Sequence, residues 1–316
     1  MPKIFFREPI PPLEMASLHR EFPTYHPIAS RGENWDWSEI EILYGRSLSE
    51  EELASATRLK WIHIPSIDIH GFPLHEMRKR EEILLTNSKG QNVSQIAQFV
   101  MGGILLFAKQ FFHWPKATRD PKEFWDWPLK ETLWDLREKL LLQVGLGEVG
   151  TAIVKLATSF GMKSWGVRRE RSFHPYCQKT FTPENLRSVL PVVDIVVIAL
   201  PMLGKLDPKP QFGKKEFSLM KKDSILIVIG SSEEIDEAAL AEEAKRGKFR
   251  GILLDSFRNP PPAKDSPLWK IPNALLTPSV APLPESTAPI AFRLFRKNLR
   301  LYVPGKINEM VNRVLG

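Results

Sequence analysis

The chain of 316 residues holds one cysteine, Cys177. An internal disulfide and a cysteine-based zinc cluster are therefore excluded, which suits a reducing cytoplasm, and Cys177 carries no functional weight. Histidine is also scarce, with seven in all and none after His174. No stretch approaches the roughly 20 continuous apolar residues of a membrane span. The longest apolar segment, FVMGGILLFAKQFF, is interrupted by Gly102, Gly103 and Lys109 and reads as a packed helix. The start, MPKIFFREPIPPLE, has charges and prolines where an export signal needs an apolar centre, so a cytoplasmic location is expected. Long runs of like charge are missing despite a net charge of +7, as in DEAALAEEA followed by KRGKFRGILLD. Neither nucleic acid nor a membrane is expected as a partner.

What is present is globular, with 43% hydrophobic and 26% charged residues, and the length predicts two domains. In the first hundred residues KIFF, EILYG, KWIHI and ILLTN are strand candidates, with SEEELASATR a capped acidic helix start between two of them. That alternation predicts a parallel sheet. A long helix over about Asn92 to Phe112 follows. A second alternation begins at Lys139: KLLLQV, a helix at 149–160, KSWGV, a helix near Pro183, DIVVIAL, a helix at 213–221, SILIVI, a helix at 236–246, then GILLDSF and ALLTP. A final helix is expected from about Glu285 to Tyr302. The class is α/β, with doubly wound parallel sheets.

Between the two alternations, Trp114, Trp125, Trp127 and Trp134 stand among prolines and charges. They invite aromatic stacking on a ligand, but without a basic groove they read better as loop anchors or a subunit interface, which argues for a homodimer.

One motif carries chemistry. In KLLLQVGLGEVGTAIVKLATSFGMKSWGVRR the pattern G-x-G-x-x-G falls on Gly145, Gly147 and Gly150 with Leu146, Glu148 and Val149 between them. The pattern alone is weak, but it follows an apolar strand, opens an amphipathic helix and precedes a second strand at the right interval. Gly145 allows the tight turn, Gly147 lets a pyrophosphate approach the backbone, and Gly150 lets helix and strand pack closely. At the end of the second strand, where an acidic residue usually binds the ribose of NAD, the chain has Arg168 and Arg169. That pair suits a 2′-phosphate, so NADP(H) is favoured over NAD(H).

With LKWIHIPS, TNSKGQNVSQIAQFV, VGLGEVG, VVDIVVIALP, FSLMKKDSILIVIG, IDEAALAEEAKRGKFRGILLDSF and SPLWKIPNALLTP in this order and spacing, the sequence resembles the D-isomer-specific 2-hydroxyacid dehydrogenases, in particular the glyoxylate and hydroxypyruvate reductase branch. The resemblance implies two Rossmann-like lobes with a cleft between them. Residues 1–91 and 286–316 would form a flavodoxin-like substrate domain, and 92–285 the NAD(P)-binding domain. It places Leu200, Pro201 and Asp255 along the dinucleotide. It also implies a dimer and reversible hydride transfer between a nicotinamide and a 2-keto acid.

The same resemblance requires an arginine for the substrate carboxylate and keto group, a histidine that protonates the nascent alkoxide, and a glutamate that orients the histidine. Their positions hold Ser231, Pro260 and Ser279, in the order arginine, glutamate, histidine. The substrate loop IPSIDIHGFP is about two residues short of the family's turn and lacks its glycine, and Gln98 stands where many relatives have Glu. Arg258 and Lys89 are the cations that an altered site has to hand. His63, His70 and His75 lack regular ligand spacing and read as surface or structural residues. Glu233, Glu234, Asp236 and Glu237 read as acids complementing a helix start. The sequence thus predicts a cofactor-binding homodimer with the classical activity absent or very weak and a binding or regulatory role, with a protein partner left open. An altered-site NADPH-dependent reductase is the alternative.

Overall fold

The structure, a computed structural model, describes residues 1–30, 35–66, 69, 71–112, 132–200, 211–230, 235–257, 259–282 and 288–315. It divides into two compact units, Met1–Asn92 with Pro284–Gly316, and Val93–Leu283.

In the first unit β1 (Lys3–Phe6), β2 (His26–Ala29), β3 (Ile40–Tyr44), β4 (Trp61–Ile64) and β5 (Leu84–Asn87) form a parallel sheet in the order β5-β4-β3-β1-β2. This is the flavodoxin-type order. A C-terminal strand, Arg313–Leu315, joins the β5 edge antiparallel, a departure from the all-parallel expectation. Of these, β1, β3, β4 and β5 are largely apolar because both faces are covered, whereas the edge strand β2 is half-buried. Phe6, Tyr44 and Trp61 pack on Phe292 and Phe295 of the C-terminal helix Ala288–Tyr302, with the Trp61 and Phe295 rings stacked 5.1 Å apart. On the other face Phe5, Leu43, Ile62 and Leu85 meet Leu53 and Met77. Each such fully buried side chain contributes about 1.5–3 kcal/mol of hydrophobic stabilisation.

Local chemistry fixes the helices. Ser49 starts α2 (Glu50–Ser55): its hydroxyl accepts from Glu52 N at 3.1 Å and its own N–H donates to the Glu52 carboxylate at 2.8 Å, a reciprocal cap. It follows α1 (Pro12–Glu21), whose Glu21 pairs with Arg296 and Arg300 of the C-terminal helix, and precedes α3 (Leu74–Met77). The tail strand is placed by Asn298, fully buried, whose carboxamide donates to Val311 O and accepts from Val311 N, both at 2.9 Å.

The second unit opens with α4 (Val93–Ala108) and carries seven parallel strands: β6 (Leu140–Val144), β7 (Lys163–Val167), β8 (Lys179–Phe181), β9 (Ile195–Leu200), β10 (Ser224–Gly230), β11 (Phe249–Leu254) and β12 (Ala274–Leu276). Their order is β12-β11-β10-β9-β6-β7-β8. Between them run α5 (Glu148–Ser159), α6 (Leu186–Val189), α7 (Lys214–Leu219) and α8 (Glu237–Lys245), with apolar cores on both faces of the sheet. The long helix stops four residues before the expected Phe112. Gln110 takes a left-handed φ of 53° and Phe111 N–H donates back to Leu106 O at 2.9 Å, a closure that ends the helix.

Trp134 anchors the chain within this unit. Its N–H donates to Ala108 O at 2.9 Å, and its ring lies 4.1 Å from Lys139 Nζ and 4.4 Å from the Arg250 guanidinium. Trp114, Trp125 and Trp127 lie outside the described residues. Among the described residues no helix is long and apolar enough to cross a membrane.

Candidate functional site

In the second unit the chain moves outward from β6 to β7 and β8, then returns to the other side of β6 for β9 through β12. The strand order reverses at β6, and in doubly wound sheets ligands bind at the carboxyl ends of the strands that flank such a reversal. The glycine turn stands there. Gly145 N–H donates to Val167 O at 3.0 Å, its φ is +93°, and a Cβ on it would lie 2.4 Å from Ala199 O. Only glycine fits both restrictions.

The other two glycines differ in kind. A Cβ on Gly150 would stand 2.0 Å from Gly145 O, so the first turn of α5 is closed against the strand behind it. A Cβ on Gly147 would meet nothing within 4 Å. Gly147 is the N-cap of α5, and no side chain accepts its leading N–H groups. Those donors and the positive end of the helix dipole therefore face open space, the setting that favours a phosphate. The residues present fit a bound pyrophosphate.

Side chains around the turn sort by role. Leu146 lies against Gly166, where a Cβ would be 2.2 Å from Leu146 Cδ1, and Val149 packs with the core. Both are half-buried. Glu148 is exposed. Gln143, fully buried in β6, donates from Nε2 to Val144 O and Gly145 O, each at 3.2 Å, and props the turn from beneath. The sequence gives no role to Gln143, because its partners meet it only in the folded turn. At the end of β7, Arg168 is half-buried with its N–H donating to Phe181 O at 3.0 Å, and Arg169 is exposed. Leu200 ends β9 and packs on the core, whereas Pro201 lies outside the described residues.

Asp255 follows β11, with only 3% of its surface exposed. Its carboxylate accepts from Thr277 Oγ1 at 2.6 Å, Val280 N at 2.8 Å and Ala281 N at 2.9 Å, and its carbonyl accepts from Ser279 N at 2.9 Å. Three of about four acceptor positions on the carboxylate are thus used within the protein. Asp255 braces the loop that carries Ser279, which itself takes a left-handed φ of 55°. Pro260 and Ser279 line one cavity of about 460 Å³, with Phe257, Trp269, Leu276 and Pro278 among its walls. The Thr277 hydroxyl at its rim is already donated to Asp255.

Other candidates separate from this arrangement. Ser231, Arg258, His70, Glu233 and Glu234 lie outside the described residues. Lys89 is exposed, and Gln98 is exposed with Nε2 donating to Ser94 Oγ at 3.0 Å. His63 is fully buried, its Nδ1 2.8 Å from Thr86 Oγ1 and its Nε2 3.0 Å from Ser88 Oγ, and burial depresses its pKa to about 3. It is a neutral structural histidine. Asp236 caps α8 by accepting from Ala239 N at 3.0 Å, as an acid at a helix start should. Burial pushes the Cys177 thiol up to about 11, which leaves little thiolate at neutral pH.

Strand order, glycine turn and open helix end place the second unit in the Rossmann class of nucleotide-binding folds. A profile of the NAD-binding domain of the D-isomer-specific 2-hydroxyacid dehydrogenases matches residues 101–281. The chain belongs to that family, and the matched part is its nicotinamide-dinucleotide-binding domain. A D-3-phosphoglycerate dehydrogenase of Methanocaldococcus jannaschii is 27% identical over 84% of this chain, which spans only 50% of that relative. A glyoxylate reductase of Korarchaeum cryptofilum is 24% identical over 97% of this chain and 94% of its own. In fold, the D-mandelate dehydrogenase of Rhodotorula graminis superposes with a TM-score of 0.80 over 100% of this chain and 98% of its own, at 19% identity.

Proposed function

We propose that the protein binds NADP(H) in preference to NAD(H), acts as a homodimer in a binding or regulatory role, and performs the family's hydride transfer to 2-keto acids weakly or not at all. On this reading residues 92–285 are the cofactor lobe, and 1–91 with 286–316 the substrate-type lobe. The pyrophosphate would lie on the N–H groups that follow Gly147, and Arg168 and Arg169 would face the 2′-phosphate.

The observation that carries the proposal is the apolar cavity shared by Pro260 and Ser279, the residues at the glutamate and histidine positions of the family pattern. Hydride delivery to a ketone leaves negative charge on oxygen. A general acid is worth about 10²–10⁴-fold in such a step, and an oriented cation adds a comparable electrostatic factor. Proline has no polar side-chain group, and the acidity of a serine hydroxyl is far too low to replace an imidazolium. Ser231 adds no charge at the arginine position.

Titration with NADPH and NADH beside an assay with glyoxylate and hydroxypyruvate tests the reading on one sample. Saturable binding with tighter NADPH and no turnover is expected, and turnover at ordinary enzyme rates refutes it. A second reading has the support of the nearly full-length glyoxylate reductase relative: a reductase in which Arg258 or Lys89 supplies the cation and water the proton. Arg258→Ala and Lys89→Ala discriminate, since unchanged turnover in both rejects that assignment.

A further inference from the structure

The connection from β7 to β8, residues 168–178, carries Arg168, Arg169 and Arg171 past the first turn of α5. One side chain ties this connection to the helix. His174 is 7% exposed, and its Nδ1 lies 3.4 Å from the backbone nitrogen of Tyr176. A backbone N–H only donates, so Nδ1 accepts and the neutral ring carries its proton on Nε2. That Nε2–H donates to Thr151 Oγ1 at 3.1 Å. Thr151 is the residue after Gly150, inside the turn that offers its N–H groups to a phosphate.

The rest of the connection is folded around this ring. The His174 carbonyl accepts from Cys177 N at 3.1 Å, the Tyr176 ring stands edge-on at 6.1 Å, and Thr180 Oγ1 donates to Ser172 O at 2.6 Å. The neighbouring charges are cationic: Arg168 from the end of β7, and Lys155 of α5, whose Nζ is 6.0 Å from the Tyr176 ring centre. Burial first, and the Arg168 charge second, hold the His174 pKa below its ordinary value. At neutral pH the ring therefore keeps the tautomer that both bonds require.

We propose that His174 is a positioning residue for dinucleotide selectivity, holding the arginine-bearing connection against the first turn of α5 so that Arg168 and Arg169 stand ready for a 2′-phosphate. With both ring nitrogens committed to protein atoms, His174 acts through the arginines. The inference rests on the NADP(H) reading above.

The test measures dissociation constants for NADPH and NADH by calorimetry on the full chain and on His174→Ala, Thr151→Val, the double variant and His174→Gln. Each of the first two is expected to weaken NADPH about tenfold, equivalent to about 1.4 kcal/mol, with NADH held within about twofold. The double variant should be no weaker than the weaker single one, because both delete the same bond. His174→Gln, which keeps a side-chain donor and acceptor, should recover part of the loss. Equal losses for both dinucleotides, additive losses, or an unchanged NADPH-to-NADH ratio overturn the proposal. A wild-type chain that binds neither dinucleotide, or prefers NADH, overturns the NADP(H) reading and this inference together. One that prefers NADPH while His174→Ala keeps the same ratio overturns this inference alone.

Discussion

Gly147→Ala and Gly150→Ala make a paired experiment, because three residues apart they meet opposite surroundings. At Gly147 the φ is −79°, open to any residue, and a new methyl meets nothing within 4 Å. The folding cost is that of a poorer N-cap, at most about 1 kcal/mol. The methyl does occupy the space through which a pyrophosphate would reach the helix N–H groups. A hydrogen bond to a charged partner is worth about 1.5–3 kcal/mol, so the loss of one corresponds to roughly 10–100-fold in dissociation constant. At Gly150 the methyl would stand 2.0 Å from Gly145 O, a backbone atom that cannot turn aside. Helix and strand must separate, at a cost of about 1–3 kcal/mol or more. Urea unfolding and calorimetric titration with NADPH read both quantities. Gly147→Ala is expected to unfold close to wild type yet bind weakly, and Gly150→Ala to lose stability and binding together. Wild-type affinity in Gly147→Ala would refute the placement of the pyrophosphate on this turn.

Three further outcomes follow from the geometry. His63 titrates near 6.5 when unfolded and about 3 when folded, so below pH 6.5 the unfolded chain binds the extra proton. Stability fully present above that pH falls as acid is added, by about 2 kcal/mol between pH 6.5 and 5. Urea midpoints over that range should show the slope in wild type and lack that contribution in His63→Gln; identical slopes reject it. Asp255→Asn turns one acceptor of the Thr277–Ala281 brace into a donor and should cost about 3 kcal/mol in thermal unfolding, whereas an unchanged midpoint would mean that the loop is held otherwise. Ser231→Arg, Pro260→Glu and Ser279→His together should raise glyoxylate reduction by at least about 10²-fold over wild type. A triple variant that folds and binds NADPH yet gains nothing would count against the identities of these three residues as the ground for the proposed weak activity.

The strands that the sequence announces are those with both faces buried. KIFF, ILLTN, DIVVIAL and SILIVI are apolar runs, and no pairing partner has to be known to read them. The edge strands gave no such signal. His26–Ala29 is half-buried and contains Pro27, Lys179–Phe181 has three residues, and Arg313–Leu315 owes its place to Asn298 holding Val311. Their structure comes from pairing and distant contacts, and composition does not encode these locally. In the candidate site the spacing Gly145, Gly147, Gly150 was legible as a pattern, and the structure shows a backbone restriction at Gly145 and Gly150 and open space at Gly147. Gln143 and His174 were not legible as supports, since their value depends on Gly145 O, Thr151 Oγ1 and Tyr176 N arriving from elsewhere in the fold.

Asp255 bears on what position 279 can hold. It lies between β11 and the loop holding Ser279, and its bonds to Thr277, Val280 and Ala281 serve that loop whatever side chain stands at 279. A loop braced this way keeps its shape when the side chain at 279 is exchanged, so such an exchange carries no folding penalty through Asp255. Position 260 is tolerant for a different reason. Pro260 is exposed at the edge of a cavity that has Phe257, Trp269 and Leu276 in its walls, so a glutamate there would keep its carboxylate in water. The scaffold therefore accepts a change at either position without a change at the other. That makes a prediction about single variants. Ser279→His with Pro260 in place and Pro260→Glu with Ser279 in place should each unfold within about 0.5 kcal/mol of wild type. A loss of several kcal/mol in Pro260→Glu alone would show that position 260 is closed to water in the folded protein.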